Sequence, residues 1–338
     1  MQNGTSRRFV PYKDLAGLPN IVVDGSGNME TLITLSHWPK GGTPHALKAD
    51  TSAEIAFNYL DAPAFHVEAE AISNNHFDED GLIGIFTLLE PEVASGMRDL
   101  LIDAAHAGDF ATYRDRRAAR IAFTISAFAD RGTSPLDPAI FTRPYPDQCA
   151  ALYQEMLPRL PEIATDTENF RRYWEDEERV LEESERAIRD RRVTIEELPE
   201  IDLAVVTLPE EWSPHAVDRL TQVAGESCHP MAVYNTTRCN CILTMQGRRY
   251  GAIYRYESWV QYMTAPPRPR VDLAPLAEAL SAREPGGITW SFDGVSAITP
   301  RLMLPDDQES VIPPEAFRTR VVEFLAVAPP AWDPYDPV

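Results

Sequence analysis

The chain contains little cysteine, few basic residues relative to its acidic ones, and no long apolar segment. Four cysteines in 338 residues are far fewer than a disulfide-stabilised scaffold carries, so we expect reduced thiols. The opening residues MQNGTSRRFV lack the apolar stretch of about 7–15 residues that a secretory signal needs. No later run approaches the roughly 18 apolar residues that cross a membrane. These absences predict a cytoplasmic protein without a membrane segment.

The charge balance limits the class of ligand. The 52 acidic residues outnumber the 31 basic ones, which gives a formal net charge of −21 at pH 7. Affinity for long nucleic acid comes from cations that displace counterions from phosphates, so this charge argues against such binding. Four arginines have helical spacing in TYRDRRAAR, namely Arg114, Arg116, Arg117 and Arg120. They predict either a solvated helix face that pairs with acidic residues or a clamp for a small phosphorylated ligand.

Strand and helix patterns alternate in the first half of the chain, which is typical of an α/β fold. NIVVDG and TLITLSHW predict strands that end at Asp24 and His37, and the alternation in FHVEAEAIS predicts a third strand. Between them, DTSAEIAFNYL begins with a capping-box pattern at Asp50 or Thr51, with Glu54 about three residues on. We therefore expect a mainly parallel sheet with flanking helices.

The remaining patterns predict a chain of two domains. A helical region from about 91 to 130 is expected to break at Gly108. CILTMQGRRYGAIYRYESW predicts a hairpin, and VDLAPLAEAL predicts a helix. The expected organisation is an α/β domain over 1–165, a connecting helix over 166–195, a smaller α+β domain over 196–325, and a proline-rich tail over 326–338 without regular structure.

The segment ISNNHFDEDGLIGIFTLL, residues 72–89, carries the most specific chemical signal. In an extended segment His76, Asp78 and Asp80 would point to the same side. Two carboxylates and an imidazole at a strand end suit Mn²⁺ or Mg²⁺, and open α/β sheets place ligand sites at that edge. The alternative is an acidic turn that caps the helix after Gly81, with Asp80 near its N-cap.

HFDEDGLIGIFTLL resembles the first motif of the DHH phosphoesterase superfamily, in which His-x-Asp-x-Asp-Gly leads from a strand into a helix. That superfamily includes manganese-dependent pyrophosphatases and hydrolases of short oligonucleotides or cyclic dinucleotides. The resemblance implies a DHH-like fold, two metal ions and a smaller C-terminal domain. YESWVQYMTAPPRPRVDLAPLAEALSAREPGG is similar to that smaller domain, although GGITW lacks the usual histidine after the glycines.

The Asp-His-His motif itself is missing downstream of Asp80, and the nearest match lies upstream at Ser36, His37 and Trp38. A reordered set of motifs is therefore implied, in which two earlier ligands precede His76. The implied ligands of Mn²⁺ or Mg²⁺ are Asp24, His37, His76, Asp78 and Asp80. Of these, the implied catalytic residues are His76, Asp78 and Asp80. A simple turn at Asp24 is the alternative there.

The implied activity is hydrolysis of a small phosphoester or short nucleotide through this two-metal His/Asp site. The residues expected to contact the small phosphorylated substrate are His106, Asp109, Arg117, Arg255 and Arg270. The competing hypothesis is a non-catalytic relative of the fold that binds a nucleotide or a protein. A homodimer is an expectation left open.

Two further patterns complete the sequence-based predictions. Most of the chain also resembles a bacterial family of unknown function that carries NNHFDEDG, AGDF, RDRRAAR and RYESWVQY, and this resemblance brings no activity with it.

The sequence lacks the motifs of a zinc knuckle and of a serine nucleophile. The Cys-x-x-Cys spacing of a knuckle is missing from the group Cys228, His229, Cys239 and Cys241, and no Gly-x-Ser-x-Gly elbow occurs. We therefore expect cysteines without a metal and no serine nucleophile.

Overall fold

The computed structural model of the protein describes residues 7–212, 228–305 and 308–336. The chain divides into two compact units. The first extends to Glu178 and includes Gln261–Ala265, and the second comprises Arg179–Val260 and the chain from Pro266 onward. The division falls within residues 166–195, and the assignment of that segment as a connection stays a prediction.

The first unit contains a four-stranded parallel sheet with the strand order β1-β4-β2-β3. Its strands are β1 (Arg8–Phe9), β2 (Asn20–Val23), β3 (Thr31–Leu35) and β4 (Ala71–Ser73). The strands β2 and β4 are buried throughout, as apolar strands covered on both faces must be. Since all four strands run the same way, their carboxyl ends share one edge. The prediction of an α/β fold with a mainly parallel sheet is confirmed.

Helices supply most of the core of the first unit. They are α1 (Ser52–Asp61), α2 (Glu79–Leu89), α3 (Pro91–Ser95), α4 (Arg98–Phe110), α5 (Arg116–Ala129), α6 (Tyr145–Met156) and α7 (Leu160–Thr165). The predicted capping box begins at Thr51, whose hydroxyl accepts a hydrogen bond from the backbone N–H of Glu54 at 3.1 Å. α2 packs against α1 and α4, and its apolar run is buried almost completely.

The prediction of a break at Gly108 is wrong. The α4 helix runs through Gly108 and ends at Phe110, where Ala111 adopts the left-handed conformation with φ 50°. A Cβ atom at position 108 would lie 2.5 Å from the Cβ of Glu79 on α2. The glycine therefore permits a close approach of two helices, which has no signature in a single sequence.

The long charged helix also begins later than the pattern predicts. Thr167–Tyr173 forms a 3₁₀-helix, and α8 covers only Glu175–Arg189. Between them the buried indole of Trp174 donates a hydrogen bond to the carbonyl of Thr167 at 2.9 Å. This side-chain bond fixes the turn that separates the two helices.

The second unit contains a mixed six-stranded sheet with the order β10-β11-β8-β7-β6-β5, in which β6 and β7 are parallel. Its strands are β5 (Thr194–Leu198), β6 (Leu203–Leu208), β7 (Cys241–Gln246), β8 (Arg249–Tyr254), β10 (Ser291–Phe292) and β11 (Arg301–Met303). Its helices are α9 (Pro230–Tyr234), α10 (Ala274–Ser281) and α11 (Pro314–Val327). The predicted β7–β8 hairpin and the α10 helix are confirmed.

The proline-rich tail contains regular structure, contrary to the prediction. Strand β12 (Pro330–Trp332) pairs antiparallel with β9 (Arg270–Val271) in a separate two-stranded sheet. Proline is compatible with such a pair because each strand there has an edge whose N–H groups need no partner. Among the described residues, no helix is both long and apolar enough to cross a membrane.

Candidate metal centre

Three strand ends place polar side chains at one edge of the parallel sheet. Asp24 directly follows β2, His37 lies two residues beyond β3, and His76 lies three residues beyond β4. Asp78 is the N-cap of α2, and Asp80 lies in the first turn of that helix. The structure brings these five side chains together, as their positions at strand ends led us to expect. Their role as metal ligands stays a prediction.

A first group of ligand atoms is deeply buried. The buried donor set consists of Asp24, His37, Asp80 and Asp109, whose ligand atoms lie within 4.8 Å of one another. His37 Nε2 lies 3.5 Å from Asp24 Oδ1, 3.5 Å from Asp109 Oδ2 and 4.0 Å from Asp80 Oδ2. None of the four side chains is more than 5% exposed. Three carboxylates thus surround one imidazole nitrogen in a site with almost no exposed side-chain surface.

A second group adjoins the first and is partly open to solvent. The outer donor set consists of Asp24, His76 and Asp78. His76 Nε2 lies 2.7 Å from Asp78 Oδ2 and 3.1 Å from Asp24 Oδ2. The side chains of His76 and Asp78 are 19% and 29% exposed. Asp24 therefore presents Oδ1 to the buried set and Oδ2 to the outer set.

Two buried carboxylate oxygens of the centre are poorly satisfied by hydrogen bonds. Asp109 Oδ2 has no hydrogen-bond partner among the described residues, and the nitrogen that faces Asp24 Oδ2 is His76 Nε2, at 3.1 Å and without good hydrogen-bond geometry. Buried polar atoms in proteins are almost always paired, and a carboxylate oxygen left without a donor is costly. A cation would satisfy both oxygens. Oxygen and imidazole donors without a thiolate suit Mn²⁺ or Mg²⁺.

The tautomer of His37 is set by a hydrogen bond on the far side of its ring. His37 Nδ1 lies 2.7 Å from the carbonyl oxygen of Asp50. A carbonyl can only accept, so Nδ1 carries the proton and the Nε2 lone pair faces the carboxylates. Burial also lowers the pKa of His37. Burial thus favours the neutral imidazole, which is the form that binds a metal, and the hydrogen bond to Asp50 fixes its tautomer.

The N-terminus of α1 holds Asp80. The Asp80 carboxylate accepts hydrogen bonds from the backbone N–H groups of Ser52 and Ala53, each at 2.7 Å. The hydroxyl of Ser52 donates to Asp24 Oδ1 at 2.8 Å. The positive end of the helix dipole thus stabilises two of the carboxylates in the centre.

The backbone at Asp24 is constrained. Its φ of 52° lies in the left-handed region, which aspartate tolerates better than most residues other than glycine. At the next position, a Cβ atom on Gly25 would lie 2.5 Å from Asn75 Oδ1. The turn after β2 therefore suits aspartate and glycine at these positions, and uncommon backbone conformations of this kind cluster at functional sites.

Asp78 caps α2 and also belongs to the outer donor set. Its Oδ1 accepts a hydrogen bond from the backbone N–H of Gly81 at 2.8 Å and so caps α2. Its Oδ2 faces His76. The His76 ring stacks on Trp38, with ring centroids 5.2 Å apart and planes 22° from parallel. The indole and the cap together hold the outer donor set in position.

The crowding of carboxylates shifts several pKa values. Burial, followed by the charges of Asp78 and Asp80, raises the pKa of Asp24 to about 6. Burial and the charge of Asp78 raise the pKa of Asp80 to about 7. Burial and the charges of four neighbouring carboxylates hold the pKa of Asp109 well above its usual range. Burial lowers the pKa of His76, but the charges of Asp78 and Asp24 outweigh it and raise that pKa to about 11. Divalent cations would relieve this repulsion.

The sequence-based geometry of the acidic segment is wrong in one respect. His76, Asp78 and Asp80 do not form a single row, because the chain enters α2 at Glu79 and is no longer extended. Asp80 consequently belongs to the buried set, whereas the other two residues belong to the outer set.

Asp109 is a candidate metal ligand that the sequence predicts as a substrate contact. The structure places it in the buried donor set, near the end of α4. The motif AGDF pointed to the residue. Only the path of α4 past Glu79, allowed by Gly108, shows which way its carboxylate points.

The other candidates of the first unit lie outside both donor sets. His106 is in neither set, its ring lies 5.5 Å from that of Phe110, and burial lowers its pKa. Arg117 is 61% exposed and pairs with Asp115 at 2.6 Å. Arg120 on the same helix pairs with Glu178 at 2.8 Å and with Glu168. These pairs favour the interpretation of the arginine-rich helix as a face that binds acidic residues.

The two arginines of the second unit are hydrogen-bonded within that unit. The buried guanidinium of Arg270 donates to Ser258 Oγ at 2.8 Å and to four backbone carbonyls, those of Arg255, Val295, Ala297 and Ile298. Arg255 donates to the carbonyl of Thr237 at 2.9 Å and pairs with Glu257. A role for either arginine in holding phosphate stays a prediction.

All four cysteines are buried free thiols, and burial raises the pKa of each.

No curated protein matches the chain, and no solved structure matches it. One family model does match, over residues 5–336, and its family, DUF6687, is described as a family of unknown function. Because that match covers nearly the whole sequence, the chain belongs to the DUF6687 family.

Proposed function

We propose that the protein is a metal-dependent phosphoesterase that hydrolyses a small phosphoester or short nucleotide with two Mn²⁺ or Mg²⁺ ions. The observation that carries this proposal is the division of Asp24 between two donor sets, one oxygen to each. Four carboxylates, those of Asp24, Asp78, Asp80 and Asp109, would balance the charge of two divalent cations. The two poorly satisfied carboxylate oxygens, Asp24 Oδ2 and Asp109 Oδ2, belong to residues of these donor sets, and bound cations would neutralise them.

The chain's own residues have separable tasks in such a centre. Bound cations would activate a water molecule and polarise a phosphoryl oxygen, so no protein nucleophile is required. Asp80 and Asp109 hold the buried set in a site closed to solvent, and His37 keeps its proton on Nδ1. The substrate is expected to enter from the side of His76 and Asp78, because these ligands are partly exposed.

The fold of the first unit supports a DHH-like arrangement. The HFDEDG motif connects a parallel strand to a buried helix, as the resemblance implies. Asp24 and His37 precede that motif in the chain and join the same centre. We therefore propose a DHH-like centre built from motifs in a different order, with the second unit as the smaller α+β domain.

The alternative is a non-catalytic relative that binds a nucleotide or a protein partner. Two observations favour it: Arg255 and Arg270 are hydrogen-bonded within their own unit, and the Asp-His-His motif is absent. On this alternative the donor sets would hold a structural cation, and metal binding would occur without hydrolysis.

The proposal is tested with the variant Asp24→Asn. Asparagine tolerates the left-handed backbone at this position, so the fold is expected to persist. Losing the shared carboxylate should abolish tight binding of two Mn²⁺ ions and lower hydrolysis by on the order of 100-fold or more. The measurements are calorimetric titration of metal-free protein with Mn²⁺ and assays on pyrophosphate, short oligonucleotides and cyclic dinucleotides.

Asp103→Asn is the matched control. Asp103 is also a buried carboxylate of the first unit, but it accepts backbone hydrogen bonds from Arg114 and Asp115 and belongs to neither donor set. The control should keep both Mn²⁺ binding and activity. A wild-type protein that binds Mn²⁺ but cleaves none of these substrates would favour the non-catalytic alternative. A wild-type protein that binds no Mn²⁺ would contradict the proposed metal centre.

A further inference from the structure

A short segment from a later part of the chain lies beside the buried donor set. Residues Gln261–Ala265, here called the strap, belong to the first unit, although the residues before and after them belong to the second. The strap brings no metal-binding side chain to either donor set. Its contacts are instead with the residues that support those sets.

The strap fixes Asp50 through three hydrogen bonds. The backbone N–H groups of Met263 and Thr264 donate to Asp50 Oδ1 at 2.6 Å and 2.8 Å. The hydroxyl of Thr264 donates to Asp50 Oδ2 at 2.5 Å. Asp50 is only 3% exposed, so this buried carboxylate depends on the strap for its donors.

Asp50 in turn orients His37. Its carbonyl oxygen accepts the hydrogen bond from His37 Nδ1, which directs Nε2 towards the carboxylates. The strap also contacts His37 directly, because the N–H of Gln261 donates to the His37 carbonyl at 2.9 Å. The histidine is thus held at its ring and at its backbone by residues connected to the strap.

The same segment reaches the supports of two other ligands. Asp50 directly precedes Thr51, the N-cap of α1, and the first N–H groups of α1 hold Asp80. The ring of Tyr262 packs edge-on against Phe110, with centroids 5.1 Å apart, and Phe110 follows Asp109 in the chain. Three ligands of the buried donor set, His37, Asp80 and Asp109, are therefore connected to the strap through the residues that support them.

We infer that the strap is a positioning element of the buried cation site and that Asp50 is the positioning residue through which it acts. This inference rests on the metal centre of the proposed function, not on the identity of its substrate. Removing the Asp50 carboxylate would free the strap, and the backbone carbonyl of Asp50, which accepts from His37 Nδ1, would no longer be held in place by those three hydrogen bonds. Partners of this kind behind a metal-ligating histidine change metal affinity by roughly 10–100-fold when mutated.

The test compares Asp50→Ala with Asp50→Asn. Alanine removes all three hydrogen bonds to the strap, so Mn²⁺ affinity should fall by roughly 10–100-fold in calorimetry. Asparagine retains Oδ1 for the two N–H groups, and its amide can donate to the Thr264 hydroxyl, so its affinity should stay within a few-fold of wild type. Asp202→Ala is the matched control because Asp202 is a hydrogen-bonded carboxylate of the second unit, paired with Asn240. The control should bind Mn²⁺ as wild type does.

Two measurements on metal-free protein separate positioning from general stability. The backbone carbonyl of Asp50 remains in both variants, so nitrogen-15 NMR of the His37 ring tests whether that carbonyl stays in place. The Nδ1-protonated tautomer should dominate in wild type and Asp50→Asn, and displacement of the carbonyl in Asp50→Ala should give a mixture of tautomers. Amide exchange at Met263 and Thr264 should accelerate in Asp50→Ala alone. Asp50→Ala with wild-type Mn²⁺ affinity and an unchanged tautomer would overturn the inference. Because hydrolysis is not a readout here, a protein that binds Mn²⁺ without cleaving phosphoesters contradicts the proposed activity and leaves the role of the strap standing.

Discussion

Asp24 connects the two donor sets because its two oxygens face different neighbours. One oxygen accepts from Ser52 and faces His37, and the other faces His76 Nε2 at 3.1 Å. The second oxygen is buried and needs a positive charge beside it, which protonated His76 supplies in the metal-free protein and a bound cation would supply in its place. At the residue scale, the chemistry therefore depends on whether Asp24 and its neighbours are charged.

Mn²⁺ affinity is expected to rise with pH. Below their pKa values of about 6 and about 7, Asp24 and Asp80 hold protons that compete with a cation. Binding must release these protons and also the proton of His76, whose pKa is raised to about 11. Affinity should therefore fall throughout the range from pH 8 to pH 5, and more steeply below about 7 and then 6, by up to about tenfold per pH unit for each proton released. Calorimetry from pH 5 to pH 8 in buffers of different ionisation enthalpy measures both the affinity and the number of protons. A flat pH profile without proton release would contradict the assignment of these carboxylates as ligands.

At the scale of elements, helix N-termini hold the acidic ligands against the strand ends. The first N–H groups of α1 bind Asp80, and α2 begins at the cap formed by Asp78. A carboxylate at a helix N-terminus accepts hydrogen bonds from backbone N–H groups that have no partner within the helix. It also lies at the positive end of the helix dipole. Two helix N-termini, the end of α4 and three strand ends thereby form one centre.

The sequence predicts the elements of this centre better than its geometry. Apolar runs that end in a polar residue mark the strand ends at Asp24 and His37, because strand burial leaves a local signature. The separation of Asp78 from Asp80 depends on where α2 begins, which the sequence leaves open by one or two residues. The direction of Asp109 depends on the packing of α4 against α2, and that contact between distant segments has no local signal.

Gly108→Ala is expected to destabilise the first unit although alanine is the better helix former. The added Cβ would meet the Glu79 Cβ at 2.5 Å, so α2 and α4 must move apart at a cost of about 1–3 kcal/mol in the free energy of unfolding. Gly96→Ala is the matched control, since its nearest atom would be 3.4 Å away. Urea denaturation of both variants checks the difference. Equal stabilities would show that α4 can shift without cost.

At the scale of the whole molecule, the centre concentrates negative charge in a protein that is already acidic. The net charge of −21 disfavours the compact state through repulsion, and four of the carboxylates lie within the two donor sets. Divalent cations that bind only the folded chain would offset part of this repulsion. Cation binding and folding of the first unit should therefore be linked.

Mn²⁺ is expected to stabilise the first unit against unfolding. A ligand that binds only the native state at 100 times its Kd contributes about 2.7 kcal/mol. Amide exchange in peptides from β2, β4 and α2 should be slower with Mn²⁺ than without it, because these elements contain or adjoin Asp24, His76 and Asp80. Peptides from β6, β7 and β8 of the second unit provide the internal reference. Asp24→Asn should remove the gain, because the carboxylate shared by both donor sets is lost. Protection that does not change with Mn²⁺, or that persists in Asp24→Asn, would mean that the cation binds somewhere other than this centre.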